Sequence, residues 1–263
     1  MPSYLFQCEE LAAFTHHVAP DTLFAFDLDG TLAPIVNEYG EARVAKPVRN
    51  ALQRLMGLAK VAVITGRSRQ DAIGILGFQP HLVIGNHGAE WPGQSSGRCW
   101  ELVQLCLKWR DRLHTALYYE PGVEIEFKGE SLSLHYRKSE DTQRALEMIH
   151  AAIEDLEPRP RTIGGKYVVN VLPAEASGKG EALAAAMEEF GCSRAIYFGD
   201  DETDEEVFRL ARSDVFGVHV GKSDDSAATY YLNQQSEILG LLNSMVGILE
   251  TLCESAVRCA DGC

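Results

Sequence analysis

Two aspartates one residue apart, Asp27 and Asp29, end an apolar run that starts at Leu23 and leads into Gly30-Thr31. Residues 23–26 read as a short buried strand. A central strand gains nothing from closing on Asp-x-Asp, because burying one unpartnered charge is unfavourable and burying two is worse. Something must compensate the pair, and Mg²⁺ is the natural candidate, so the motif points to phosphoryl transfer. Three further groups with suitable chemistry follow in order: Thr65-Gly66-Arg67, Lys179, and Gly199-Asp200-Asp201-Glu202-Thr203-Asp204. Taken singly, each has a plainer explanation. Thr65-Gly66 is a common turn, a lysine opening a helix is commonly solvated, and Asp201, Asp204 and Glu205 suit the positive end of a helix dipole.

The elements that must position these residues alternate. An amphipathic helix over 47–58 precedes a strand over 60–64, which stops at Thr65-Gly66-Arg67; a helix over 70–76 and a strand over 81–85 follow. Alternating strand and helix predicts a parallel, helix-covered sheet. Ligands of such sheets sit beyond the carboxyl ends of the strands, where Asp27, Asp29, Thr65 and Arg67 fall.

The pattern then changes. Residues 91–97 are a turn-rich hinge candidate. Beyond them the chain predicts a helix over 99–118, two paired strands over 123–127 and 132–136, a helix over 140–156 and a strand over 166–171. That order, helix, two strands, helix, strand, describes an inserted α+β unit. Alternation returns with a helix over 179–190 and a strand over 195–198 that runs into the Asp200 cluster. The expected architecture is a core built from residues 1–92 and 174–263, with 93–173 inserted as a lid.

Length and charge bound the function. A chain of 263 residues can bury a full core beside a smaller domain. A formal net charge of −14 argues against nonspecific nucleic-acid binding and against an anionic membrane surface. Residues 1–20 lack a basic segment followed by a long apolar one, so a cytoplasmic protein is expected. Seven scattered cysteines, an odd number, suit reduced packing residues better than a disulfide framework. Cys253, Cys259 and Cys263 lack the CxxC spacing and the nearby histidine of a metal site. The apolar stretch 238–252 is short for a membrane span and is expected to be a terminal helix packed on the core.

The four groups, in their order and spacing, resemble the four motifs of the haloacid dehalogenase (HAD) superfamily of phosphatases. That resemblance implies a HAD-like Rossmannoid α/β core with an α+β cap of the C2 type. It makes Asp27 the nucleophile that forms an aspartyl phosphate and Asp29 the general acid and base. An Asp27 oxygen, the Asp29 carbonyl and Asp200 would ligate Mg²⁺; Thr65, Gly66 and Lys179 would hold the phosphoryl oxygens; Asp204 and Asp201 would stand behind them.

A second layer of residues is similar to the trehalose-6-phosphate phosphatases. It comprises Asp27 to Ile35, Asn86-His87-Gly88-Ala89-Glu90, Glu126-Phe127-Lys128, Ser131, His135-Tyr136-Arg137, Gly178-Lys179-Gly180-Glu181-Ala182 and Gly199 to Glu205. By that similarity Glu126 and Lys128 bond sugar hydroxyls, with Arg67 and His87 near the mouth between cap and core. The family pattern carries a glutamate where this chain has Asn170; Asn170 can still bond a hydroxyl, and Glu175 is a second candidate for the same place. The implied reaction is hydrolysis of trehalose 6-phosphate, the last step of trehalose biosynthesis. The expected enzyme is monomeric, binds neither membrane nor nucleic acid, and has a trehalose-phosphate synthase as its possible functional partner. The change at Asn170 leaves open a related phosphatase of sucrose phosphate, glucosylglycerol phosphate or mannosylglycerate phosphate. A non-catalytic sugar-phosphate sensor is the remaining alternative.

Overall fold

The run ahead of Asp27 forms strand β2 (Thr22–Phe26), buried along its whole length. The computed structural model describes residues 1–36, 41–93, 97–165, 167–210 and 212–261. In the main sheet β2 lies between β3 (Lys60–Ile64) and β9 (Arg194–Gly199), with β4 (Leu82–Ile84) beyond β3. On the other side β9 is followed by β10 (Val215–Val220), β11 (Tyr230–Leu232) and the short β1 (Ser3–Tyr4), and all seven strands run parallel. Strands covered on both faces read as unbroken apolar runs, which is why β2 and β3 were visible in the sequence.

Alternate side chains of these strands enter different layers. Phe24, Phe26, Val61 and Val63 pack with residues of α1 (Cys8–Thr15), α2 (Lys46–Met56), α3 (Arg69–Leu76) and α8 (Ile238–Asp261). Leu23, Ala25, Ala62 and Ile64 pack with α6 (Lys179–Phe190) and α7 (Glu205–Phe208). The segment 235–255 is long and apolar enough to cross a membrane. Its Leu241, Leu242, Met245, Val246 and Leu249 are buried in the main core.

Register positions the site. Phe26 stands opposite both Val63 and Phe198, so β2, β3 and β9 end at one level. After β2 the chain proceeds outward to β3 and β4 and later returns to β9 on the other flank of β2. This is a topological switch point, where a crevice opens beyond the carboxyl ends.

A four-stranded antiparallel sheet in the order β5 (Glu124–Phe127), β6 (Leu132–His135), β8 (Val168–Leu172), β7 (Arg161–Gly165) stands above that crevice. With α4 (Gly97–Ala116) and α5 (Thr142–Glu154) it has its own core, including Trp109, Leu113, Leu132, Leu134, Ile149 and Val171. The expected order of helix, two strands, helix, strand needs correction, because β7 is an additional strand. Arg-Thr-Ile-Gly-Gly has no apolar alternation and reads as a turn; pairing along β8 makes it the sheet's edge. Residues 94–96 of the turn-rich stretch, Lys166, and the side chains of Cys99, Cys259 and Cys263 lie outside the described residues. Of the described cysteines, Cys8, Cys106, Cys192 and Cys253 are free thiols.

Candidate active site

Lys179 is the hub of the site. It opens α6 and is only 1% exposed, yet its ammonium donates to Asp27 Oδ1 at 2.9 Å and to Asp204 Oδ1 at 2.7 Å. Burial opposes the charge, but Asp204 and Asp27 outweigh it and hold the lysine far above its usual range. Asp27 shows the opposing effects from the other side. Burial pushes its carboxyl up, Lys179 pulls it down, and Asp204 and Asp29 push it up again, to about 7.

Asp204 organises the far wall. Its Oδ1 also accepts from Tyr197 Oη at 2.6 Å, and its Oδ2 accepts from the backbone N–H groups of Asp200 and Asp201 at 2.9 and 3.0 Å. Asp201 caps the turn Glu202–Asp204 through a bond from Glu202 N at 2.8 Å. Asp200 accepts from Thr31 Oγ1 at 3.2 Å. Burial, then Asp27, Asp204 and Asp201, raise its carboxyl well above the normal range. Gly30, at φ +83°, lies so close to Asp200 that a Cβ would overlap its carboxylate.

The oxygens of Asp27, Asp200 and Asp204 fall within 4.8 Å of one another and form a buried acidic group able to hold a metal. The donor chemistry suits a hard cation: all ligand atoms are oxygens, and burial first, then neighbouring carboxylates, push Asp27 and Asp200 towards protonation, an effect that a bound cation would oppose. Asp204 differs from the other two because both of its oxygens already accept two bonds each. It is engaged by Lys179, Tyr197 and the Asp200 loop, which leaves Asp27 and Asp200 with the freer oxygens for a metal.

The turn after β3 brings two residues together that the sequence assigned separately. Arg67 donates from Nε to Asp29 Oδ2 at 2.6 Å and from Nη2 to Asp29 Oδ1 at 2.7 Å, a two-pronged ion pair. Thr65 Oγ1 accepts from Arg67 N at 3.2 Å, while Thr65 N donates to Ile84 O at 3.0 Å, so the Thr65 amide is engaged by the sheet. His87 packs against Gly66 so closely that a Cβ on Gly66 would strike its ring. His87 adopts φ +58° and is 5% exposed, and neither ring nitrogen has a hydrogen-bond partner among the described residues. Burial, then Lys128 and Lys179, hold it well below the usual histidine range, so the ring is neutral.

A cavity of about 830 Å³ joins core and cap. Asp27, Asp29, Thr65, Gly66, Arg67, His87, Lys179, Asp200 and Asp201 line it from the core; Glu126, Lys128, His135 and Asn170 line it from the cap. Its size is that of a small-ligand pocket. Lys128 Nζ donates to Gly66 O at 3.1 Å, and Asn86 Nδ2 donates to Lys128 O at 3.0 Å, so this cap residue is bonded to the phosphate-loop candidate below it. Burial lowers the Lys128 ammonium, partly offset by Glu126. Burial raises Glu126, but a 2.9 Å bond with His135 Nε2 and the neighbouring Lys128 bring it below its normal range.

Asn170 sits in the middle of the cap sheet. Its Oδ1 accepts from Ser133 Oγ at 2.6 Å and its Nδ2 donates to Ile163 O at 3.4 Å, so two of its bonding positions serve neighbouring strands. The expectation for Glu175 requires correction: it is exposed and is not among the cavity's lining residues. The chain turns after β8, Ala176 N bonds Pro173 O, and Ala176 packs inward in place of its neighbour. Tyr197, Thr31 and His135 were not assigned. Tyr197 gave no signal because a tyrosine inside an apolar strand reads as packing, and His135 declares itself only when its strand pairs with that of Glu126.

A family model described as trehalose-phosphatase matches residues 25–236. The trehalose-6-phosphate phosphatase of Escherichia coli (strain K12) is 34% identical over 192 residues, covering 70% of this chain and 71% of that protein. Among solved structures, the C-terminal domain of C. albicans trehalose-6-phosphate phosphatase superposes with a TM-score of 0.76 at 21% identity, over 94% of this chain and 99% of that one. A haloacid dehalogenase-like hydrolase from Bacteroides thetaiotaomicron superposes with a TM-score of 0.60 at 14% identity, over 85% and 99% respectively. The fold is therefore HAD-like.

Proposed function

Given that this chain belongs to the trehalose-phosphatase family, we propose that it is a Mg²⁺-dependent phosphomonoesterase releasing trehalose and inorganic phosphate from trehalose 6-phosphate. One observation carries the reading: the buried Asp27–Lys179 pair and the cap pair Glu126–Lys128 line the same cavity. A nucleophile below and hydroxyl-bonding charges above suit a phosphorylated sugar.

An Asp27 oxygen attacks phosphorus, forming a P–O bond as the bond to the sugar oxygen breaks. Asp29 donates a proton to the departing alkoxide, then takes one from water; the water oxygen attacks phosphorus, and the aspartyl P–O bond breaks to regenerate Asp27. Bound Mg²⁺ would be held by Asp27 and Asp200, with the Asp29 carbonyl, and would supply charge neutralisation between the anionic nucleophile and the anionic ester. Lys179 and Thr65 Oγ1 hold phosphoryl oxygens. Arg67 binds Asp29 in two places, so Asp29 acts as an acid only when that pair loosens; Arg67 turning to the substrate would release it. Cap closure aligns the ester and excludes bulk water.

The same reading divides the chain into a catalytic core, residues 1–92 and 174–263, and a specificity cap, residues 93–173. It makes the protein a cytoplasmic monomer with a trehalose-phosphate synthase as its functional partner. Phosphate release from trehalose 6-phosphate, glucose 6-phosphate, sucrose phosphate and glucosylglycerol phosphate, with and without Mg²⁺, tests the assignment. Trehalose 6-phosphate should be the fastest and the reaction should stop on chelation. Asp27→Asn should lower kcat at least about a thousandfold. Faster turnover of another ester would overturn the sugar assignment and leave the reaction class in place.

A further inference from the structure

We infer that Arg161, on the cap's edge strand, is a positioning residue that holds the helix start carrying Lys179 by way of Glu206. The inference rests on the reading of Lys179 as the phosphate-holding lysine.

Helix α6 begins without a cap of its own. Its N-cap residue is Gly178, and no side-chain capping bond is made there. The first N–H groups of a helix need acceptors from elsewhere. For Lys179 the acceptor comes from another element: Glu206 Oε2, on α7, receives Lys179 N at 3.0 Å. The second oxygen of the same carboxylate, Oε1, receives Arg161 Nη1 at 2.9 Å, and Arg161 Nη2 donates to Ala176 O at 3.3 Å. Ala176 belongs to the segment that returns the chain from cap to core. The absence of a side chain at residue 178 makes the arrangement possible, because a Cβ there would collide with Glu206 Oε2 and come within 3.1 Å of Arg161 Nη1.

Arg161 and Glu206 retain 33% and 28% of their side-chain exposure, and a pair that wet contributes little to stability. Its consequence is geometric. Arg161 fixes the carboxylate that fixes the Lys179 backbone, and the Lys179 ammonium must meet both Asp27 and Asp204. Since Arg161 stands on the cap and Glu206 on the core, the lysine's place depends on how the cap is seated. A displacement on the order of an ångström in a group that stabilises the transition state can cost about a hundredfold in rate.

The test uses the full chain and the variants Arg161→Ala, Arg161→Lys, Glu206→Ala and Arg161→Ala/Glu206→Ala. Phosphate release is followed from trehalose 6-phosphate and from p-nitrophenyl phosphate, a compact ester without sugar hydroxyls. Hydrogen exchange is followed at the first turn of α6. Arg161→Ala should lower kcat about tenfold for both esters, with KM within about twofold. It should also speed exchange of the Lys179 amide. Arg161→Lys should recover most of the loss, and Arg161→Ala should add nothing once Glu206 is alanine, as expected of residues acting through one contact. Unchanged kcat and exchange in Arg161→Ala would overturn the inference, as would a lower Tm with kcat intact, or a loss confined to KM for trehalose 6-phosphate. A parent protein that hydrolyses no ester would overturn the proposed function instead, and exchange at Lys179 would still decide the role of Arg161.

Discussion

The floor and the roof of the cavity are built in different ways. On the floor, Lys179, Asp27, Asp204, Tyr197 and two backbone amides form a continuous network in which both oxygens of Asp204 are doubly bonded. On the roof, polar groups bond their strand neighbours, Glu126 to His135 and Asn170 to Ser133. Between them the His87 ring nitrogens and Asn86 Oδ1 are buried without hydrogen-bond partners among the described residues. The floor is preorganised for one charge distribution, which is what electrostatic catalysis requires. The roof holds bonds that a ligand's hydroxyls can exchange for their own, which is what selection requires.

The contrast breaks first, and by most, at the hub. Lys179→Met keeps the volume but removes the charge, leaving Asp27 and Asp204 buried together. Its kcat should fall by about a hundred- to a thousandfold for every ester. Unfolding monitored by denaturant should report a loss of about 3–5 kcal/mol. If a sugar ester suffers and p-nitrophenyl phosphate does not, Lys179 belongs to selection and the division between floor and roof is wrong.

Glu126→Ala sharpens the roof. It should lower kcat/KM for trehalose 6-phosphate by about a hundredfold, near 3 kcal/mol, by removing hydroxyl bonds and leaving Lys128 and His135 without their carboxylate. The loss for p-nitrophenyl phosphate should be at least about tenfold smaller. Equal losses for the two esters would place Glu126 in the chemistry.

The smallest effect concerns His87, at the seam. Its folded pKa is depressed, so below the ordinary histidine pKa of about 6.5 the unfolded chain binds a proton that the folded one does not. Stability is therefore present above that value and is lost as the pH falls, by up to about 1.4 kcal/mol per pH unit from this residue. Denaturant midpoints between pH 7 and 5 should fall less steeply in His87→Gln than in the parent. Identical slopes would show that His87 is not held neutral.

Much of the floor was legible because its motifs are local. Asp27 and Asp29 stand with one residue between them after a buried strand, Lys179 opens a predicted helix, and Asp200 follows another strand. The roof was legible only through resemblance, since Glu126 and Lys128 otherwise read as the polar face of a hairpin. Strand β7 was missed because its glycines suggest a turn and its identity as a strand comes from pairing with β8. Glu175 was misplaced because nothing local reveals which way a turn carries a side chain.

The sequence by itself determined the reaction class, the parallel core and the inserted cap, and it singled out Asp27 as the candidate nucleophile, since each is written in the order of residues along short segments. The tertiary structure alone decided that Lys179 meets Asp27 across 152 positions, that Arg67 grips Asp29, that Asn170 is partly engaged by its own sheet, and that Glu206 stands between Arg161 and Lys179. The physical reason is range. Local spacing sets strand, turn and helix start within a few residues, whereas a buried charge acquires its partners only when distant strand ends are brought to one level by the register of the sheet.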